Sequence, residues 1–277
     1  IGESAFRGNK LTKVTFLPVN TFIEIERAAF TENEIKELEL PSLLKTIEDS
    51  TFNSNHLTKV TFPPESRLEI IGVNAFSNNK LTEVTFSHES KVTHIGNDAF
   101  SGNEIQELKL PSSLVEIGTF AFNRSKLTKV TFPSSLQFIG ESAFSSNNLT
   151  KVIFLPESRL EIIGGAAFYK NKITELELPS SLKQIEFHAF FNNQLTKITF
   201  SPESELRDIG YHAFMNNQIT ELELPSSLQF IRDNAFTSNK LTKITFLPES
   251  ELIDIGDEAF NKNEIQELEL PSSLKQI

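Results

Sequence analysis

The sequence predicts a repeat solenoid of short parallel strands, and three observations carry that prediction. A Phe preceded in most cases by Ala recurs from end to end, at Phe6, Phe30, Phe52, Phe76, Phe100, Phe122, Phe144, Phe168, Phe190, Phe214, Phe236 and Phe260. These twelve markers are spaced only 22 or 24 residues apart, a fixed period at which each repeat is one coil that buries its apolar face against its neighbours. Other residue types keep fixed distances from the marker. Finally, Phe occurs 25 times against two Tyr, one Met and no Trp, so one residue type is reused at one structural position.

Five residues before each marker stands Ile, from Ile1, Ile25 and Ile47 through to Ile255. Five after it comes Leu or Ile, eight after Val, Leu or Ile, and ten after Phe or Leu. The last two columns are one residue apart, which fits an alternating strand. In Lys59-Val60-Thr61-Phe62 the apolar pair points inward and Lys59 and Thr61 point out. Stacked coils are expected to join these strands into a parallel sheet at about 4.8 Å spacing, an array about 55 Å long.

Three residues after the marker lies Asn, at Asn9, Asn33, Asn55, Asn79, Asn103, Asn147, Asn171, Asn193, Asn217, Asn239 and Asn263, with Ser125 the one departure. A polar side chain recurring just before an apolar strand predicts a buried structural ladder, its amides bonding backbone groups that the turn leaves unpaired. Pro usually follows the strand, one or two residues on, and ends it, having no N–H to donate. Two connectors alternate: Pro-Ser-Ser-Leu, as at Pro111 to Leu114, and Leu-Pro-Glu-Ser-Arg-Leu, as at Leu155 to Leu160, whose two extra residues explain 24 against 22. Apolar residues eight before the marker (Leu68, Leu160, Leu206) and the Ile column imply a second, shorter strand on the far side. The Gly-x-x-Ala-Phe segment, as in Gly2 to Phe6, reads as a tight helical or 3₁₀ turn closing the coil.

A net charge of −11 and a pI near 5.1 argue against nucleic acid and against an anionic membrane surface, both of which need a basic stripe. No apolar run approaches the roughly 18 residues of a spanning helix. The absence of cysteine excludes disulfides, thiolate metal sites and a Cys nucleophile. Ile1 and Ile277 occupy the same column, so the chain reads as a single solenoid, an excerpt of a longer protein without capping segments.

These columns resemble the BspA-like leucine-rich repeats, whose pattern runs Ile-Gly-x-x-Ala-Phe, then Cys or Asn, Leu, Val, and Leu or Phe before Pro. Ile1-Gly2-Glu3-Ser4-Ala5-Phe6 with Asn9, Leu11, Val14 and Phe16 fits it, as does Ile139 to Phe144 with Asn147, Leu149, Val152 and Phe154. The resemblance covers the whole chain. Departures occur at Glu26, Glu48, Glu186 and Arg232, which replace the Gly, and at Ser125. The resemblance implies a right-handed leucine-rich-repeat superhelix. It also implies a part of a secreted or cell-surface protein that adheres to host proteins or other cells.

No catalytic constellation is legible, and no cofactor is implied. Of the five His, only His188 and His212 share a column, two before consecutive markers; two imidazoles with no third ligand make a poor metal site, and they read as solvated residues on a turn. Thr columns such as Thr12 and Thr15 invite an ice-binding reading, but Glu39, Glu177, Glu223 and Glu269 interrupt the array.

Seven after the marker, Lys and Glu alternate from Lys13 and Glu37 onward, which is expected to supply cross-strand charge pairs on a self-neutralising face. Two breaks interrupt the rhythm, Glu83 beside Glu107 and Lys129 beside Lys151. Near the second lie Arg124, Ser125 and Lys126, with Lys109 in place of Glu and Ile153 in place of Thr. Lys109, Arg124, Lys126, Lys129 and Lys151 with an exposed Ile153 form the candidate contact site for an acidic protein partner. The sequence thus reads as a non-enzymatic protein-binding scaffold for adhesion. The alternative is a structural spacer whose ends stack head to tail.

Overall fold

The computed structural model describes residues 1–17 and 24–275; Ile277, which the end-column reading invokes, lies outside them. Numbered by their marker Phe, the coils run from coil 1 at Phe6 to coil 12 at Phe260. Ten of them, coils 2 to 11, each contribute one longer and one shorter strand. In chain order these are β1 (Glu37–Glu39), β2 (Thr46–Ile47), β3 (Lys59–Thr61), β4 (Ile70–Ile71), β5 (Glu83–Thr85), β6 (His94–Ile95), β7 (Glu107–Lys109), β8 (Glu116–Ile117), β9 (Lys129–Phe132) and β10 (Phe138–Ile139). The second half continues with β11 (Lys151–Phe154), β12 (Ile162–Ile163), β13 (Glu175–Glu177), β14 (Gln184–Ile185), β15 (Lys197–Thr199), β16 (Asp208–Ile209), β17 (Glu221–Leu224), β18 (Phe230–Ile231), β19 (Lys243–Phe246) and β20 (Asp254–Ile255).

The core follows directly from the columns. One hydrophobic cluster extends from Ile25 to Ala259, and the marker rings from Phe52 to Phe236 are fully buried. All twelve marker rings stack, successive centroids lying 5.1 to 5.7 Å apart with planes within 16° of parallel. At that separation parallel rings are offset, the arrangement their quadrupoles favour. From coil 2 to coil 12 the residue before each marker, Ala or in coil 3 Thr51, is buried too, so the turn sits tightly on the core.

The short strands form one ten-stranded parallel sheet in register, Ile47 beside Ile71 beside Ile95 and onward to Ile255. The long strands depart from expectation. They are parallel and in register, but they pair two by two: β1 with β3, β5 with β7, β9 with β11, β13 with β15 and β17 with β19. Between pairs the face opens into seams, each closed by a single backbone bond just ahead of the strand, such as Lys80 N–H to Leu57 C=O at 2.9 Å. Four of the five paired steps have the 22-residue spacing, whereas three of the four seams between pairs have 24. The extra connector residues shift where the chain re-enters the face, so the N–H and C=O groups no longer meet. Coil 5 is the exception, with a long connector before it and a short one after.

The segment around each marker is not helical; among the described residues there is no α-helical or 3₁₀ stretch. In coil 4 Ala75 N–H donates to Gly72 C=O and Ser77 N–H to Asn74 C=O, while the N–H groups of Asn74, Phe76 and Asn78 donate to coil 5. Diverting alternate N–H groups to the next coil requires left-handed residues two before and two after the marker, here Asn74 (φ 56°) and Asn78 (φ 54°). A helix cannot continue through such residues. The reward is three backbone bonds at nearly every coil-to-coil step.

Candidate binding surface

The Asn column shows how side chains join one coil to the next. The Asn55 side-chain amide donates to Phe30 C=O of the preceding coil at 2.9 Å and to its own coil's Phe52 C=O at 3.3 Å, while its oxygen accepts Ile35 N–H at 3.1 Å. The same pattern runs from Asn33 through Asn79, Asn103, Asn147, Asn171, Asn193, Asn217 and Asn239 to Asn263. Asn9, in the first coil, bonds Phe6 C=O. Buried amides thus have partners at both ends, as burial demands.

Ser125 interrupts this ladder. Its buried Oγ has no hydrogen-bond partner, and the Ile105 N–H that an Asn would receive has none among the described residues. The same step carries the seam between β7 and β9 and the connector irregularity of coil 5. Lys126 bridges it from the side, its Nζ 2.7 Å from Glu104 Oε2, and this bond holds the Glu104 carboxyl below its ordinary range.

On the long-strand face the structure places Lys151 directly opposite Lys129 and Ile153 opposite Thr131 in the β9–β11 pair. Lys109 stands on β7 across the neighbouring seam. None of the three Lys has a carboxylate within 4.0 Å among the described residues. Two of the other sequence-based candidates are not part of this group. Arg124 sits in the turn ladder, donating its N–H to Ser145 C=O, and Lys126 is held by Glu104. Ile153 is half-buried rather than exposed; Leu155, 43% exposed, is the open apolar residue nearby.

The charge alternation meets the pairing in an unexpected way. Every seam faces opposite charges, as with Glu107 and Lys129, while the two like-charged neighbours lie directly opposite within hydrogen-bonded pairs, Glu83 with Glu107 and Lys129 with Lys151. The opposite-charge pairs Glu37–Lys59, Glu175–Lys197 and Glu221–Lys243 are in register but do not close to salt bridges. Their attraction acts through solvent. Shallow grooves mark this face, one of about 300 Å³ lying over Lys197, Glu221 and Lys243.

On the turn face the shared column brings His188 and His212 together as their spacing implies, but the aromatic cluster around them was not legible from it. His188 and His212, expected to be solvated, stack at 4.8 Å with planes 1° apart, both half-buried. Burial, and then the charge of His212, push the His188 pKa down. Tyr169 stacks on Phe191 at 5.4 Å, Phe187 meets His188 edge to face, and Phe187 and Tyr211 are exposed. The signal was available: both tyrosines and the one Met of the chain, Met215, fall in this block, in columns elsewhere filled mostly by small or polar residues. Among the described residues no group of three or more His, Asp or Glu converges as a metal site.

Comparison with known proteins fits this architecture. A profile of the BspA type leucine rich repeat region matches in six copies, over residues 1–91, 69–193 and 161–277. The chain belongs to that family. In solved structures the fold recurs in the leucine-rich repeat domain of APL1B, at 17% identity and a TM-score of 0.55, covering 95% of this chain and 82% of that one. A leucine-rich repeat protein from Bacteroides ovatus matches at 22% identity and TM-score 0.49, covering 95% and 79%. The pneumococcal vaccine antigen PcpA matches at 20% and 0.49, covering 99% and 85%. No curated protein matches this BspA-type repeat chain. No helix among the described residues is long and apolar enough to cross a membrane.

Proposed function

We propose that this leucine-rich repeat solenoid is an extracellular or cell-surface adhesion scaffold that engages a protein partner through its long-strand face. The contact centres on Lys129 and Lys151, with Lys109 and Ile153 beside them. One observation carries the reading: two lysines stand directly opposite on hydrogen-bonded strands with no carboxylate within 4.0 Å among the described residues, on a chain of net charge −11. Like charges so placed cost stability, and a partner carboxylate recovers that cost on binding. The scaffold is already ordered, so binding loses little conformational entropy. Family membership supports the surface location and the non-enzymatic role.

The test is binding of an Asp/Glu-repeat peptide and of whole cells to the wild type and to Lys129→Glu/Lys151→Glu. Loss of both in the variant, with an unchanged circular dichroism spectrum, is the expected outcome. Equal binding by the two proteins would reject the site. Scattering across a concentration series tests the alternative, end-to-end association.

A further inference from the structure

The aromatic cluster on the turn face departs from the pattern of the other coils. In the column three before the marker the chain reads Glu141, Gly165, Phe187, Tyr211, Asp233, Asp257 on consecutive coils. Earlier coils fill that column mainly with Glu, Asp, Asn or Thr, so the fold does not need an aromatic ring there. Yet the site is built around one. A Cβ at Gly165 would strike the Phe187 ring, so the preceding rung lacks a side chain where that ring lies, and the Gly165 N–H donates to the Glu186 carboxylate at 2.8 Å.

Phe187 and Tyr211 remain 42% and 49% exposed. The rings behind them stack on one another, His188 on His212 and Tyr169 on Phe191. Acidic residues continue the column on both sides, Glu141 two coils before Phe187, and Asp233 and Asp257 one and two coils after Tyr211, with Asp233 Oδ1 accepting the Asp257 N–H. The cations at the edges are already engaged: Arg232 is held by Asp208 and lies 4.5 Å from the Phe230 ring centroid, and Lys170 sits 5.0 Å above Tyr169. Both contacts show, within this molecule, cations seated on aromatic faces. Burial and then the charge of His212 lower the His188 pKa, which disfavours positive charge there.

We infer that Phe187 and Tyr211, with their acidic flanks, form a second binding surface that takes an arginine-bearing segment of a partner protein. A guanidinium fits because it is planar, weakly hydrated and stacks on aromatic rings while pairing with carboxylates. This surface is distinct from the lysine group on the strand face and selects the opposite charge.

The chain supplies its own probe. Tyr169 and Tyr211 are its only tyrosines and it has no Trp, so tyrosine emission reports on this cluster alone. The experiment titrates a fluorescein-labelled peptide of Arg-Ser repeats, read by anisotropy, and the unlabelled peptide, read by tyrosine emission. Lys-Ser and citrulline-Ser peptides serve as comparisons. The expected result is saturable binding with a change in tyrosine emission, tightest for arginine and lost for citrulline. Phe187→Asn/Tyr211→Asn, which places in both positions the residue found at Asn97, should weaken Kd about tenfold or more. Glu221→Gln/Glu223→Gln, on the strand face, should change it by less than about twofold. Lys129→Glu/Lys151→Glu should bind at least as well as wild type, so this proposal and that for the strand face fail separately. An unchanged tyrosine signal at saturation, or a double aromatic variant that binds like wild type, would overturn the inference, since charge alone would then explain binding. A glycan or uncharged peptide that alters tyrosine emission where the arginine peptide does not would overturn it equally.

Discussion

Replacing Ser125 with Asn restores the missing rung between coils 5 and 6, and its effect is calculable from the rungs beside it. In the next step Asn147 donates to Phe122 and Phe144 C=O at 2.9 and 3.1 Å and accepts Leu127 N–H at 3.1 Å. At position 125 the same side chain meets Phe100 C=O, Phe122 C=O and the partnerless Ile105 N–H. Three hydrogen bonds at about 0.5–1.5 kcal/mol each, less about 1 kcal/mol for fixing the side chain, leave a gain of about 2 kcal/mol. For a chain of this size that raises Tm by roughly 3–4 °C. The assay is thermal melting by circular dichroism together with hydrogen exchange at the Ile105 amide. Ser125→Ala, which only removes the unpartnered hydroxyl, should gain less. An unchanged or lower Tm for Ser125→Asn, with Ile105 still exchanging as fast as before, would refute the account of the ladder as a structural element.

Asn147→Ala removes a working rung and strands the Leu127 N–H; a loss of about 2–4 kcal/mol is expected in chemical unfolding, with exchange rising first at Leu127. Gly140→Ala should cost about 1–3 kcal/mol, because its Cβ would lie 2.5 Å from the backbone of Gly118 and Thr119, whereas Gly2→Ala, with nothing within 4 Å, should be neutral. The depressed His188 pKa sets a pH dependence: below its ordinary 6.5 the unfolded chain binds the proton more readily than the folded one, so stability falls as pH drops through that value. Melting between neutral pH and pH about 5 should therefore show a smaller decline in His188→Asn, whose new residue already occupies the same left-handed column at Asn74.

Much of this protein was legible because a solenoid makes its contacts between neighbours at a constant offset. The inward pair Val60 and Phe62, the shorter strand ending in Ile71, and the buried Asn55 each follow from residue type and position relative to one Phe. The closing turn is as tight as its sequence implies, with bonds to the third residue back, but it does not run on as a helical or 3₁₀ stretch. Its left-handed residues are other types, such as Ser50, Glu32, Arg124 or His188, more often than Asn or Gly, so composition carries no mark of the conformation. Of the candidate contact residues, the column positions told that Lys129 and Lys151 are neighbours, whereas only the stacked coils show Arg124 in the turn ladder and Lys126 held by Glu104.

What the sequence alone determined is the period, the identity of the core columns, and the polar ladder with its fault at Ser125, since each depends on a side chain's own chemistry and a fixed spacing. Tertiary structure decided which neighbouring strands pair and which open into seams, because that depends on where each connector returns the chain to the face. It thereby made Lys129 and Lys151 hydrogen-bonded partners while leaving Glu107 and Lys129 across a seam. It also decided that the Phe187 ring lies over Gly165, one coil before it, because residues more than twenty positions apart become neighbours only when the coils stack.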